Sequence, residues 1–288
     1  MITRIFILLC LGGLFLTMPV YSQLERRLES ASQEVDLTFH APRQINLFTV
    51  EPLDKGTLHF AIMHTFGEVD SGVRDLFGID NGANIQFSLE YGLTDKFSLG
   101  MGRQSRDKVY TLYGRYHLLT QTQDNRMPLS LSVMGGAAMN SSDYSFLIMG
   151  EPSFSERTSY AIQWMVARKF SNKISLQLSP MAAYFIDPNP IFFIEGDQNL
   201  YTALGISGKY KLTGKTSLTA QWIGNLNNNL RNNLGLGVDL EAGGHVFQLY
   251  LVTSPFLNET YLLAGGNGVP GEQFRLGFNV NRVFGYSR

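Results

Sequence analysis

Three observations predict an all-β chain closed as an antiparallel, up-and-down transmembrane β-barrel of about 12 strands. Long segments alternate apolar and polar residues, the connections between them alternate short and long, and the composition is poor in charge and rich in glycine and aromatics.

The alternation starts after Gly56, and helical periodicity is nearly absent from there on. A period of two gives each strand two unlike faces. Leu218, Ala220 and Trp222 share one face, and Ser217, Thr219 and Gln221 the other. In the last strand Phe274, Leu276, Phe278 and Val280 alternate with Arg275, Gly277, Asn279 and Asn281. The strands are centred on residues 59–62, 85–89, 97–101, 109–117, 129–137, 160–166, 174–182, 201–210, 217–222, 234–240, 246–251 and 274–283. Each runs for about nine to thirteen residues, the length a tilted strand needs to cross the hydrocarbon core. Strands of soluble proteins average only about five or six.

The connections follow the same rhythm. Residues 92–95, 170–173, 212–215 and 241–245 are tight turns supplied with Gly, Asn or Asp, which tolerate positive φ. Those around 68–82, 141–156, 187–198, 225–232 and 255–271 are mostly longer and rich in Asn, Gly and Pro, with 103–107 as a short exception. Outer-membrane barrels have short periplasmic turns and longer outer loops, and an even strand count puts both termini in the periplasm. A soluble β-sandwich has no reason to gather its long loops on one side.

Of the 288 residues 16% are charged, 12% are aromatic and 29 are glycine, with a formal net charge of -1. That balance suits a lipid-facing sheet and lacks the basic stripe of a nucleic-acid protein. Tyr91, Phe97, Phe170, Tyr210 and Phe284 fall at the expected periplasmic ends, where barrels carry an aromatic girdle.

Residues 1–22 are read as a cleaved signal peptide. Arg4 precedes an apolar run that ends near Pro19, and Val20 and Ser22 suit cleavage after Ser22. The run is shorter than the roughly 20 residues of a spanning helix. The only cysteine, Cys10, lies in this segment, so the mature chain is expected to hold no thiol, disulfide or cysteine metal ligand. Residues 23–55 form a pre-barrel segment, with a polar start at 24–30 and an extended stretch at 44–50. Three placements are open to it: plugging the lumen, lying in the periplasm, or adding a strand. Residues 56–288 are assigned to the barrel.

The stretch Ile45-Asn-Leu-Phe-Thr-Val-Glu-Pro52, followed by Gly56-Thr-Leu-His-Phe-Ala-Ile-Met-His-Thr-Phe-Gly67, resembles the opening of an uncharacterised outer-membrane β-barrel family from Bacteroidetes, a domain of unknown function. The segments at 76–80, 89–95 and 99–103 continue the likeness, which is most specific between residues 45 and 121. Thr65 departs from it, standing where that family would carry a basic residue. The resemblance implies a location in the outer membrane of a Gram-negative bacterium, with outer-membrane lipid and the barrel-insertion machinery as partners. It implies no activity.

Motifs that carry chemistry are sparse. Residues 208–216 look like a phosphate loop, but one residue too many separates the glycines, and a strand follows where the phosphate needs a helix N-terminus. They read as a hairpin turn. Gly100-x-Gly102 and Gly235-x-Gly237 sit in strands and suit close packing. His40, His59, His64, His117 and His245 show no metal-ligand spacing, and His59 and His64 take opposite faces of one strand. No catalytic, cofactor-binding or metal set emerges, and no pattern names a small-molecule ligand. The Asn-rich run at 225–233 reads as a solvated outer loop.

Alternation turns Glu90, Arg115, Lys209, Asp239, Glu241 and Arg275 toward the interior. Their mixed signs suit an ion-pair network closing a narrow barrel, or a selective path for ions or substrate. The expected function is a narrow pore or binding protein without enzymatic activity. Two alternatives are a lipid-modifying barrel enzyme that pairs His64, His117 or His245 with a hydroxyl, and a secreted soluble β-sandwich that binds glycans.

Overall fold

The computed structural model describes residues 34–144, 151–187, 198–227, 230–265, 267–268 and 272–285. The segment read as a signal peptide, the first part of the pre-barrel segment and nearly all of the 187–198 connection lie outside them.

Twelve antiparallel strands close into one barrel, which excludes the β-sandwich. In chain order after a two-stranded hairpin, β1 (Arg43–Gln44) and β2 (Leu47–Phe48), they are β3 (Leu58–Glu68), β4 (Ala83–Gly92), β5 (Phe97–Gln104), β6 (Val109–Leu119), β7 (Ser130–Asn140), β8 (Thr158–Lys169), β9 (Ile174–Phe185), β10 (Leu200–Lys211), β11 (Thr216–Asn225), β12 (Asn233–Ala242), β13 (His245–Val252) and β14 (Arg275–Phe284). Every strand expected from the alternation is present. Each pairs with its sequence neighbour, and β14 closes onto β3 with Val280 opposite Ile62 and Phe284 opposite Leu58.

The two faces sort as the period-two pattern requires. On β4, Asn84, Gln86, Ser88 and Glu90 are buried in the lumen while Phe87, Leu89 and Tyr91 are exposed outside. On β11, Ser217, Thr219 and Gln221 point inward, and Leu218 and Trp222 outward. Gly243 and Gly244 take positive φ in the turn between β12 and β13, the backbone a two-residue hairpin needs and glycine gives without steric cost. Pro180 lies within β9 on the outer face. It has no N–H to donate, and the ladder to β8 skips from Gln163–Met181 to Val166–Leu178.

The lumen is not an open bore. Residues 38–50 are buried throughout and run inside the barrel, linked to β3 through residues 51–57. From the end that carries the longer loops, residues 253–264 also fold inward and are fully buried. The sequence places 255–271 among the outer loops. Its first part instead turns into the barrel, because Phe256, Tyr261, Leu262 and Leu263 find an apolar wall there. That wall is Met181, Ala183, Phe185, Tyr201, Ala203 and Ile223, joined by Leu47 of the inner segment. A second cluster packs Phe39, Phe48 and Val50 against Tyr113, Met134 and Met165.

Candidate functional site

The lumen is where this chain gathers its polar chemistry. A backbone passing through a barrel must find partners for its N–H and C=O groups, and here long amide side chains of the wall supply them. Gln163 and Gln177 both donate to the Phe48 carbonyl, at 3.0 and 2.8 Å. Gln177 Oε1 accepts from Val50 N at 2.9 Å, and Gln221 Oε1 from Asn46 N at 3.1 Å. Asn279 donates to the Ile45 carbonyl at 2.8 Å and Gln248 to that of Arg43 at 3.1 Å.

The structure places Glu90, Arg115, Lys209, Asp239, Glu241 and Arg275 on the lumenal side of their strands, each with its own contacts. Arg115 Nε meets Glu90 Oε1 at 2.7 Å, and its two other nitrogens donate to the carbonyls of Thr49 and Glu51 at 3.1 and 2.9 Å. Glu90 also accepts from Ser98 at 2.5 Å and Tyr113 at 3.4 Å. Asp239 accepts from Gln248 at 3.2 Å. Lys209 Nζ lies 5.9 Å from the centre of the Phe39 ring. Arg275 pairs with Glu68 and donates to the Thr253 carbonyl at 2.9 Å. Glu241 lies 2.8 Å from His40 Nδ1, whose Nε2 lies 3.2 Å from Ser217 Oγ. This has the connectivity of a Ser–His–carboxylate relay, but Ser217 is wholly buried with no surface for a substrate to reach.

One pair escaped the sequence reading. Arg43 Nη2 and Glu259 Oε1 meet at 2.6 Å in the middle of the lumen, and the guanidinium stacks over Phe48 with its carbon 3.7 Å from the ring centre. Both residues lie in aperiodic segments, so alternation says nothing about them. A readable signal did exist in Met63, Met134 and Met165, large apolar residues on strand faces otherwise made of polar and small residues, and all three buried.

The histidines proposed for lipid hydrolysis divide. His64 stacks on Phe278 at 4.3 Å on the outer face, and His245 Nε2 meets Arg282 at 3.0 Å. His117 Nδ1 lies 2.8 Å from Ser132 Oγ, which itself donates to the Val50 carbonyl at 2.9 Å. The Ser132 hydroxyl thus lies between the imidazole and a backbone carbonyl of the inner segment, buried with both.

At the loop end a cleft of about 430 Å³ opens between β3, β4, the β5–β6 turn and Pro255, with Glu68, Asn84, Arg106 and Arg275 in its wall. Beside Arg106, Asp107 holds positive φ in that turn. Burial pushes its carboxyl up to about 6, against the opposing pull of Arg106. The fold therefore favours the neutral acid. This contribution is complete below the unfolded value of about 4 and is lost as pH rises through about 6. Asp107→Asn is expected to stabilise the barrel at pH 7.5 by roughly 1 kcal/mol, after discounting for solvent screening, and to leave it unchanged at pH 3.5. Unfolding midpoints at the two pH values check this.

The model of the family described as "Membrane bound beta barrel domain (DUF5777)" matches residues 39–284, which takes in the inner segment as well as the strands. The chain belongs to the DUF5777 family. This DUF5777 barrel matches no curated protein in sequence. Among solved structures it is similar to the KdgM porin, at 6% identity and a TM-score of 0.50, covering 80% of this chain and 99% of the porin. It is also similar to an outer-membrane channel from Pseudomonas putida F1, at 16% identity and a TM-score of 0.50, covering 90% of this chain and 100% of the channel. The Escherichia coli outer-membrane phospholipase A aligns at 14% identity and a TM-score of 0.45, over 83% of this chain and 94% of the enzyme. These likenesses are of fold alone: the chain is a membrane-bound β-barrel.

Proposed function

We propose that this protein is a narrow channel for small polar solutes in the outer membrane of a Gram-negative bacterium of the Bacteroidetes, exported through a cleaved signal peptide. Its short turns face the periplasm and its long loops the exterior. The inner segment and the inturned loop constrict it.

The observation that carries this reading is the chemistry of the wall. Gln163, Gln177, Gln221, Gln248 and Asn279 hold the inner segment by hydrogen bonds that water can replace, so the lumen stays compatible with solvent as the constriction shifts.

Planar-bilayer recording tests it. The native barrel is expected to give brief, small openings, and the Gln163→Ala/Gln177→Ala double variant, which frees the Phe48 carbonyl, longer and larger ones. Silence of both proteins at every voltage, with the barrel folded, would overturn the reading.

A further inference from the structure

On one side of the lumen a group of deeply buried polar atoms lacks partners. Both amide atoms of Gln86, the hydroxyl of Ser88 and the hydroxyl of Thr111 make no hydrogen bond, although the residues are only 1%, 3% and 8% exposed. Register brings them together: Ser88 lies opposite Gly102, and Gly102 opposite Thr111. On the other flank Ser88 faces Ala61, so small residues surround the hydroxyls. Buried polar groups are satisfied in folded proteins, and where protein atoms fail water takes their place.

This patch lies between the loop-end cleft and a closed layer nearer the turn end. One lumenal position toward the loop end from Gln86 is Asn84, in the wall of the 430 Å³ cleft. One position toward the turn end from Ser88 and Thr111 are Glu90 and Tyr113, which form the obstruction. The Tyr113 ring lies so close over Gly100 that a Cβ there would fall 2.2 Å from it, and Glu90 is held by Arg115, Ser98 and Tyr113. Beyond them the space narrows to about 10 Å³ between Ser98, Arg115, His117 and Ser132 of the wall and Pro52 and Leu53 of the inner segment. Across the lumen, Leu257 and Asn258 donate their backbone N–H groups to Gln104 Oε1 at 3.0 and 3.2 Å, fixing the inturned loop above the patch. Arg43 approaches Tyr113 to 5.9 Å.

We infer that a hydrated route for small uncharged polar solutes follows the inner face of β3–β6 past the inner segment, closed at one layer by Tyr113 and the Glu90–Arg115 pair. The solute class follows from charge. Along this route an ion of either sign meets a carboxylate and a guanidinium in each of two tight pairs, Arg43–Glu259 and Arg115–Glu90, while hydroxyls and amides offer exchangeable hydrogen bonds to a polyol. The inference rests on the channel reading and adds which wall conducts.

Swelling of proteoliposomes in an uncharged pentose, and in a sugar-acid salt of similar size, tests it. Tyr113→Ala is expected to speed pentose entry several-fold with little change for the salt, and adding Ser88→Leu to return it to the native rate. If Ser88→Leu leaves the Tyr113→Ala rate untouched, or the salt enters as fast as the pentose, the route is overturned. The channel reading would still stand on the Gln163→Ala/Gln177→Ala variant. If no variant admits solute while that double variant conducts ions in bilayers, the route alone falls; if the double variant is silent as well, both fall. Should Tyr113→Ala not fold, Ser88→Leu alone decides. Hydrated space accepts the larger side chain with a melting temperature within a few degrees of native, whereas a large drop means packed space and overturns the route.

Discussion

Arg43→Met will cost the folded barrel about 3–5 kcal/mol, and Glu259→Leu added to it will recover most of that loss. The two side chains are 1% and 6% exposed and meet at 2.6 Å. Removing the guanidinium alone leaves a carboxylate buried without its counter-charge, which is far costlier than replacing both partners by apolar groups of similar volume. The pair matters beyond its own energy because it joins the inner segment to the inturned loop, two stretches that approach from opposite ends of the barrel. Asn46 adds a second tie, donating to the Phe256 carbonyl at 2.8 Å. Denaturant unfolding of the four proteins of a double-mutant cycle measures the coupling. A double variant as unstable as Arg43→Met alone would show that the pair is not what links them.

Leu112→Arg is the second large effect, expected to cost about 2–4 kcal/mol in vesicles. Leu112 is 64% exposed near the middle of β6 and faces outward between Met101 and Ala137 of the flanking strands. Arginine there has to enter hydrocarbon, while Gly214→Arg in the β10–β11 turn, where a side chain would meet open space, enters water and should be neutral. Equilibrium unfolding from vesicles compares them. Equal stability of the two variants would mean that the outer face does not meet lipid.

How far the sequence reaches can be seen by comparing Glu90 with Arg43. Glu90 sits in a strand of strict alternation, so its inward direction follows from period two alone, as it does for Arg115, Lys209, Asp239, Glu241 and Arg275. Its partner does not follow. Arg115 lies two strands away, and the side chains meet across β5 only because Gly100 and Ser98 stand between them, which requires the register of both hairpins. Arg43 and Glu259 are less legible still, because they lie outside the barrel strands, where no periodicity assigns a face. The same division explains the inner segment. The outer surface of the barrel obeys one solvent, lipid, and its pattern is simple; the inner surface serves both water and a second piece of chain, and mixes Gln and Ser with Met accordingly.

The seam between β3 and β14 carries a consequence for biogenesis. Residues 34–55 lead directly into β3, the strand whose free edge waits for β14 until the rest of the sheet has formed. Closing that edge joins residues more than 200 positions apart, a slow event in chain-entropy terms, and until it happens the interior can still be entered from the side. Once it happens, the Arg115 clamp and the Gln anchors have no lateral exit. Before the seam closes the leading residues have lateral access to the interior; afterwards their way in is along the barrel axis, from the turn end where residues 51–57 join β3.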